Sequence, residues 1–227
     1  MIKILPAIMS DSLEEFKKEL GKVWSVVSRV QVDVIDGKFA ERETVKPEEL
    51  NMIDTVVVFD VHLMVEKPEE WVSRCAMGGV DRVFGQVEKM EDVAAFVGDV
   101  QAEGMAVGLA YDIDTPLDGL KEVINNLDAV LLLAVKAGKQ GQEFDEKVLE
   151  KIKKVRKLSK KVTLVIDGGL NEEKIKKCLA AAWAEEMEEE TWERNIVLMD
   201  FVVGSELWKA EDVRKRLEEL QRLEGKE

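Results

Sequence analysis

His62 is the only histidine among the 227 residues, and it lies two places beyond a carboxylate in Asp60-Val-His-Leu-Met64. An imidazole there can carry a proton near neutral pH or bind a metal through a ring nitrogen. A lone histidine in an apolar run is more often a satisfied core residue. This one alternates with Asp60 near the end of a strand-like run, and comparable run ends also carry polar groups. These are Ser10, then Gln31, Asp33 and Asp36 in Gln-Val-Asp-Val-Ile-Asp-Gly37, then Gln86-Val-Glu88, Asp167-Gly168-Gly169 and Gly204-Ser205. The functional reading of His62 is therefore the stronger one.

Asp33 and Asp167 come from distant parts of the chain. Two carboxylates facing opposite sides of one carbon suit removal of a proton on one face and its delivery on the other. Either alone would read as a loop cap or a lysine's partner. The turns Gly168-Gly169 and Gly204-Ser205 let backbone N–H groups approach an anion such as phosphate. One Gly-Gly is usually only a turn, but two small-residue turns on consecutive strands make a stronger signal. Gly138-Lys-Gln-Gly141 adds a loop able to fold over a ligand.

These groups need a scaffold that gathers run ends in one place. Strand-like runs fall at Lys3–Met9, Arg29–Val34, Val56–Met64, Asp81–Val87, Ala106–Tyr111, Ala129–Val135, Val162–Ile166 and Val197–Val203. Amphipathic segments separate them at Ser12–Val27, Pro68–Met77, Asp92–Glu103, Pro116–Leu127, Glu146–Leu158 and Glu172–Trp183, and Glu211–Leu223 follows the last run. Val56-Val-Val-Phe59 and Val130-Leu-Leu-Leu133 are apolar on both faces, as parallel strands covered by helices are. Ser12-Leu-Glu-Glu15 fits a capping box, and Pro68 belongs in a first helical turn. Strand and helix alternating from end to end predict one α/β domain over residues 1–227, a (β/α)8 TIM barrel with its site at the C-terminal strand ends. An open doubly wound sheet is the alternative, but its Gly-rich first turn is absent after Met9. An acidic helical insertion is expected around 183–195, where Glu185-Glu-Met-Glu-Glu-Glu190 lies between Trp183 and Trp192.

A net charge of −14 makes nucleic acid and acidic membranes poor partners, so an anionic substrate needs a local positive or N–H site. The two cysteines, Cys75 and Cys178, have no motif spacing, which points to a reducing compartment. The opening Met1-Ile-Lys-Ile-Leu-Pro6 is too short for a signal peptide's apolar stretch, and the expected location is cytoplasmic.

In this order, the segments resemble the ribulose-5-phosphate 3-epimerase family over nearly the whole chain. Leu5-Pro-Ala-Ile-Met-Ser10 looks like that family's Pro-Ser-Ile-Leu-Ser. Gln31-Val-Asp-Val-Ile-Asp-Gly-Lys-Phe39 looks like its His-x-Asp-Val-Met-Asp-Gly-x-Phe. Asp60-Val-His-Leu-Met-Val-Glu-Lys-Pro68 follows its Asp-x-His-Leu-Met-Val-x-x-Pro. Val135–Phe144, Ile166–Asn171 and Val203–Ser205 resemble its remaining motifs. The resemblance implies a barrel of the ribulose-phosphate-binding type. Asp33 and Asp167 would be the acid/base pair that epimerises a ketose phosphate through an enediolate. A divalent metal (manganese, zinc or iron) would be held by Gln31, Asp33, His62 and Asp167. Gly141, Gly168, Gly169, Gly204 and Ser205 would hold the phosphate, with Ser10, Met64, Gly138 and Gln142 also on the substrate. The partner implied is a small phosphorylated sugar, and homo-oligomers are a property of the family.

The chain departs from the pattern at several places. The family's first metal histidine is Gln31, a neutral amide oxygen that shifts preference toward harder ions or weakens the site altogether. Its fourth-strand histidine is Gln86, its second-strand Met is Ile35, and sulfur near strand six is replaced by Leu133. The Pro-Gly-Phe loop becomes Ala137-Gly138-Lys139, and Asp112-Ile113-Asp114 follows strand five. Two alternatives stay open: a barrel enzyme acting on another phosphorylated compound, in which Asp112, Asp114, Lys136 and Lys139 reshape the pocket, and a sugar-phosphate-binding protein without catalysis or metal.

Overall fold

The structure is a computed structural model that describes residues 2–184 and 198–223. Its eight parallel strands are β1 (Ile2–Ile8), β2 (Arg29–Ile35), β3 (Val58–Met64), β4 (Arg82–Gln86), β5 (Ala106–Tyr111), β6 (Ala129–Leu133), β7 (Thr163–Asp167) and β8 (Met199–Val203). They pair in chain order, and β8 closes the barrel on β1 with Ile2 beside Met199. The helices are α1 (Leu13–Val23), α2 (Val72–Met77), α3 (Val93–Ala102), α4 (Leu120–Val123), α5 (Lys147–Leu158), α6 (Glu172–Ala184), α7 (Ser205–Trp208) and α8 (Val213–Gln221). The (β/α)8 architecture expected from the alternation of runs is what forms.

Side-chain alternation divides each strand between two layers. Val30, Val32 and Val34 of β2, with Val61 and Leu63 of β3, join the shell between sheet and helices. Leu5, Phe84, Leu131, Val165 and Val202 fill the interior of the barrel. Gln31 and Asp33, and Asp60, His62 and Met64, occupy the same inward parity. Helices present one apolar face to the shell: α1 buries Phe16, Leu20 and Val23, and its first turn is capped by the Ser12 hydroxyl accepting from Glu15 N–H at 3.3 Å. Each such fully buried large side chain contributes roughly 1.5–3 kcal/mol.

Several element boundaries differ from the periodicity. Val56 is 89% exposed and Val58 37%, so β3 begins later than the apolar run, although Val57 just before it is buried in the core. Helix α1 stops at Val23 instead of Val27, leaving Trp24 exposed. The segment after β5 shrinks to α4 and a 3-10 turn, because Gly119, at φ +77°, sits immediately before it. The acidic insertion expected around 183–195 falls, beyond Ala184, outside the described residues.

The N-terminal end of the barrel is closed by an ion-pair cluster. Asp60 on β3 faces Arg82 on β4 in register. Arg29 and Arg82 both bind Asp60, Arg29 reaches Asp81 at 2.5 Å, and Arg82 reaches Asp200 at 2.8 Å. Asp60 therefore belongs to the end opposite the one its neighbour His62 faces.

Candidate active site

The β2–β3 register sets Asp33 beside His62, and β7 delivers Asp167 from across the barrel. Each of the three offers one ligand atom, and these atoms all lie within 4.8 Å of one another. His62 Nδ1 is 3.5 Å from Asp33 Oδ1. Gln31 lies between the carboxylates: its Nε2 donates to Asp33 Oδ1 at 2.9 Å and to Asp167 Oδ2 at 2.8 Å. Burial and the neighbouring Asp33 charge push the Asp167 carboxyl up to about 7, while His62 and the Gln31 amide act in the opposite direction.

Gln31 Oε1 and both ring nitrogens of His62 are buried and have no hydrogen-bond partner among the described residues. A buried polar atom left unsatisfied costs about 1–3 kcal/mol, so the two imidazole nitrogens beside Asp33 mark a place that a ligand completes. One imidazole, two carboxylates and an amide oxygen also form a donor set suited to a divalent cation. The residues fit such an ion.

Other side chains hold these in place. Thr44 Oγ1 donates to the Asp33 carbonyl and accepts from Ile35 N–H, both at 2.9 Å, pinning the end of β2 on which Asp33 stands. Asp36 lies just past β2 and accepts from the N–H groups of Lys38, Phe39 and Glu66, a loop-capping role. Gln86 is fully buried. Oriented so that its NH2 meets acceptors, it donates to Ala110 O at 3.0 Å and Glu88 Oε2 at 3.1 Å. Ser10 is buried as well, but its hydroxyl donates to Glu19 of α1 at 2.6 Å instead of turning to the cavity.

A cavity of about 560 Å³, counted to its open mouth, lies over Asp33, His62 and Asp167. Met64, Gly138, Gly141, Gln142, Gly168, Gly169, Gly204 and Ser205 all line it. Met9 and Met64 make an apolar wall on one side, with Ile35 packed against them. The Gly138 N–H points to the Met64 sulfur at 3.2 Å, docking the loop after β6 onto that wall. Gln142 serves the same loop, donating to the carbonyls of Lys136 at 2.6 Å and Lys139 at 2.8 Å. Asp112 ties in the loop before it by accepting from Ala137 N–H at 3.4 Å, and Asp114 pairs with Lys136 and Lys147 at the surface.

The glycines after β7 are required by packing. Gly168 and Gly169 have φ of +108° and +61°, and a Cβ at Gly169 would lie 2.6 Å from the Phe144 backbone nitrogen. The turn after β8 is anchored by Trp208, whose Nε1 donates to the Ala7 carbonyl at 2.6 Å.

Thr44, Met9 and Lys209 escaped the sequence reading. Inward parity on β1 would have found Met9, which alternates with Ala7. No sequence signal marks Thr44 or Lys209. The Lys209 Nζ stands 3.8 Å from where a Cβ at Gly141 would be, so it places an ammonium beside that turn. Glu206, which lines the cavity, is engaged by Arg216 at 2.6 Å.

Residues 3–187 match the family described as the ribulose-phosphate 3-epimerase family. The ribulose-phosphate 3-epimerase of Bacillus subtilis is 30% identical over 181 residues, covering 76% of this chain and 83% of that protein. The enzyme of the same name from Mycobacterium bovis is 27% identical over 228 residues, covering 98% and 93%. Among solved structures, KGPDC from Streptococcus mutans superposes with a TM-score of 0.70 at 13% identity, covering 99% of this chain and 100% of that one. Phosphoribosyl anthranilate isomerase from Thermotoga maritima gives 0.61 at 16% identity, covering 98% and 100%. The two structural likenesses speak for the barrel alone, whereas the sequence matches extend through the strands that carry Asp33, His62 and Asp167: this chain belongs to the ribulose-phosphate 3-epimerase family, a family of enzymes.

Proposed function

We propose that this enzyme inverts C3 of a pentulose phosphate of the ribulose 5-phosphate type. The carrying observation is the convergence of Asp33 and Asp167, from strands on different sides of the barrel, at the floor of one cavity. One carboxylate removes the C3 proton, and the other returns a proton to the opposite face of the planar enediolate. A group that must both take and give a proton works best with a pKa near the operating pH. Burial beside a second carboxylate moves Asp167 in that direction. A divalent ion held by Asp33, His62 and Asp167, with Gln31 Oε1, would supply Lewis-acid stabilisation to the enediolate oxygens.

The remainder of the cavity positions the substrate. The N–H groups of Gly169 and of the Gly204-Ser205 turn would receive the phosphate, and Met9 and Met64, backed by Ile35, would exclude water from the carbon skeleton. Lys209 offsets some of the repulsion that a −14 chain exerts on a dianion. Exchange of the C3 proton of ribulose 5-phosphate into deuterated water tests the reading directly, followed by proton NMR. Exchange at C3 that depends on both aspartates is the expected result. Absence of exchange at high enzyme concentration, with and without added divalent ion, would reject it.

A further inference from the structure

Gln31 is the member of the cluster that cannot serve the aspartates and a cation in one orientation. Its Nε2 makes hydrogen bonds of 2.9 Å to Asp33 and 2.8 Å to Asp167, while its Oε1 is buried and partnerless. Turning the amide over would aim its oxygen at two carboxylate oxygens and replace two charge-assisted hydrogen bonds with repulsion. That fixes the orientation seen here. A cation reverses the preference, since an amide NH2 has no lone pair to offer and the amide oxygen has two.

We infer that Gln31 is a two-position amide latch, whose NH2 holds Asp33 and Asp167 together in the cation-free protein and whose Oε1 turns to the site when a divalent cation binds. The inference rests on the reading of Asp33, His62 and Asp167 as cation-holding groups. Gln31 is a positioning residue: it acts on the two aspartates and, once turned, on the cation, without touching the substrate itself. The latch has two consequences. Loss of the cation does not let two buried carboxylates spring apart, so the site stays assembled. Cation uptake must break both hydrogen bonds, so the site binds more weakly than one with an imidazole at this position. The expected difference is at least tenfold in zinc Kd, about 1.4 kcal/mol.

The test follows the Gln31 side-chain NH2 by 15N-edited NMR during titration of the wild-type protein with zinc ion alone. Its resonances are identified by their absence in Gln31→His, or in Gln31→Leu if the histidine variant does not fold. With no cation present, the two NH2 protons should resonate downfield and exchange slowly with solvent. Saturation with zinc should shift them and accelerate exchange. Calorimetry should give a zinc Kd at least tenfold tighter for Gln31→His than for wild type, with Asp167→Asn as the background for surface binding. Stoichiometric zinc binding that leaves the Gln31 NH2 signals unmoved would overturn the latch and leave the cation reading standing. Equal or weaker zinc affinity in a folded Gln31→His would do the same. Binding of zinc by neither protein above background would overturn both.

Discussion

Both ends of the barrel bury acidic side chains, and the two ends treat them in opposite ways. At the N-terminal end, Asp60 is fully buried between Arg29 and Arg82, and Arg82 also holds Asp200. Burial pushes the Asp60 carboxyl up and both guanidiniums pull against it. At the C-terminal end, Asp33 and Asp167 converge with a neutral amide between them, and among the described residues no guanidinium touches them and His62 has no hydrogen-bond partner. The first arrangement satisfies its charges internally and closes the barrel. The second leaves lone pairs and charge for something from outside. Burial of an aspartate does not separate structure from function here. What separates them is whether a cation of the protein's own answers it.

Asp33→Asn should lower the rate of C3 exchange by about 10²–10⁴-fold, the usual share of a positioned acid or base. Asp60→Asn, at the other end, should leave the rate per folded molecule within about twofold of wild type on the same general scale. Equal losses in the two variants would erase the distinction between the ends.

Stability should respond the other way round. Asp60→Ala removes the buried carboxylate shared by Arg29 and Arg82, leaving Arg82 with Asp200 and Arg29 with Asp81, and should cost about 3–5 kcal/mol. In thermal unfolding this reads as a Tm lower by roughly 6–20 °C for a chain of this size.

Asp167→Asn sharpens the contrast through pH. Because the folded carboxyl is raised from 3.8 to about 7, its contribution to stability is complete below the unfolded value and is lost as pH rises through the folded one. The asparagine variant carries no such loss. In cation-free buffer it should therefore gain on wild type between pH 4 and pH 8, by as much as about 4 kcal/mol at roughly 1.4 kcal/mol per pH unit. Chemical denaturation at the two pH values measures the gain, and a gain at the acid end would contradict the assignment.

Two smaller effects test the mouth. Gly169→Ala drives a Cβ into the Phe144 backbone and should cost about 1–3 kcal/mol, with a higher KM as the loop after β6 lifts. Lys209→Gln should raise KM by a factor of about two to five at low ionic strength, an exposed-charge effect that fades as salt is added. A KM effect that persists at high salt would indicate direct contact instead of field.

The face on which each site residue lies was legible in the sequence, because strand parity is a local property. Gln31, Asp33, His62, Met64 and Asp167 alternate with apolar neighbours, and they do turn inward. Height along the barrel was not legible. Asp60 and His62 share a face but serve opposite ends, since period two reports the side of a strand and nothing about depth. Ser10 illustrates a second blind spot: its hydroxyl is taken by Glu19, nine residues on, once α1 folds back over β1. The sequence offered only a turn or an anion cradle as the reason for Gly168 and Gly169; the approach of Val135 to the first and of Phe144 to the second is a contact between separate segments that no local pattern announces.

By itself the sequence determined the alternation of strand and helix, the inward parity of the acidic residues and the family, all set by periodicity and short motifs. The tertiary structure alone decided which aspartate meets an arginine, which meets only an amide, and which way that amide points. Those outcomes depend on register and closure across β2, β3, β4, β7 and β8. Chain segments far apart in sequence come within hydrogen-bonding distance there, and no local pattern encodes the distance.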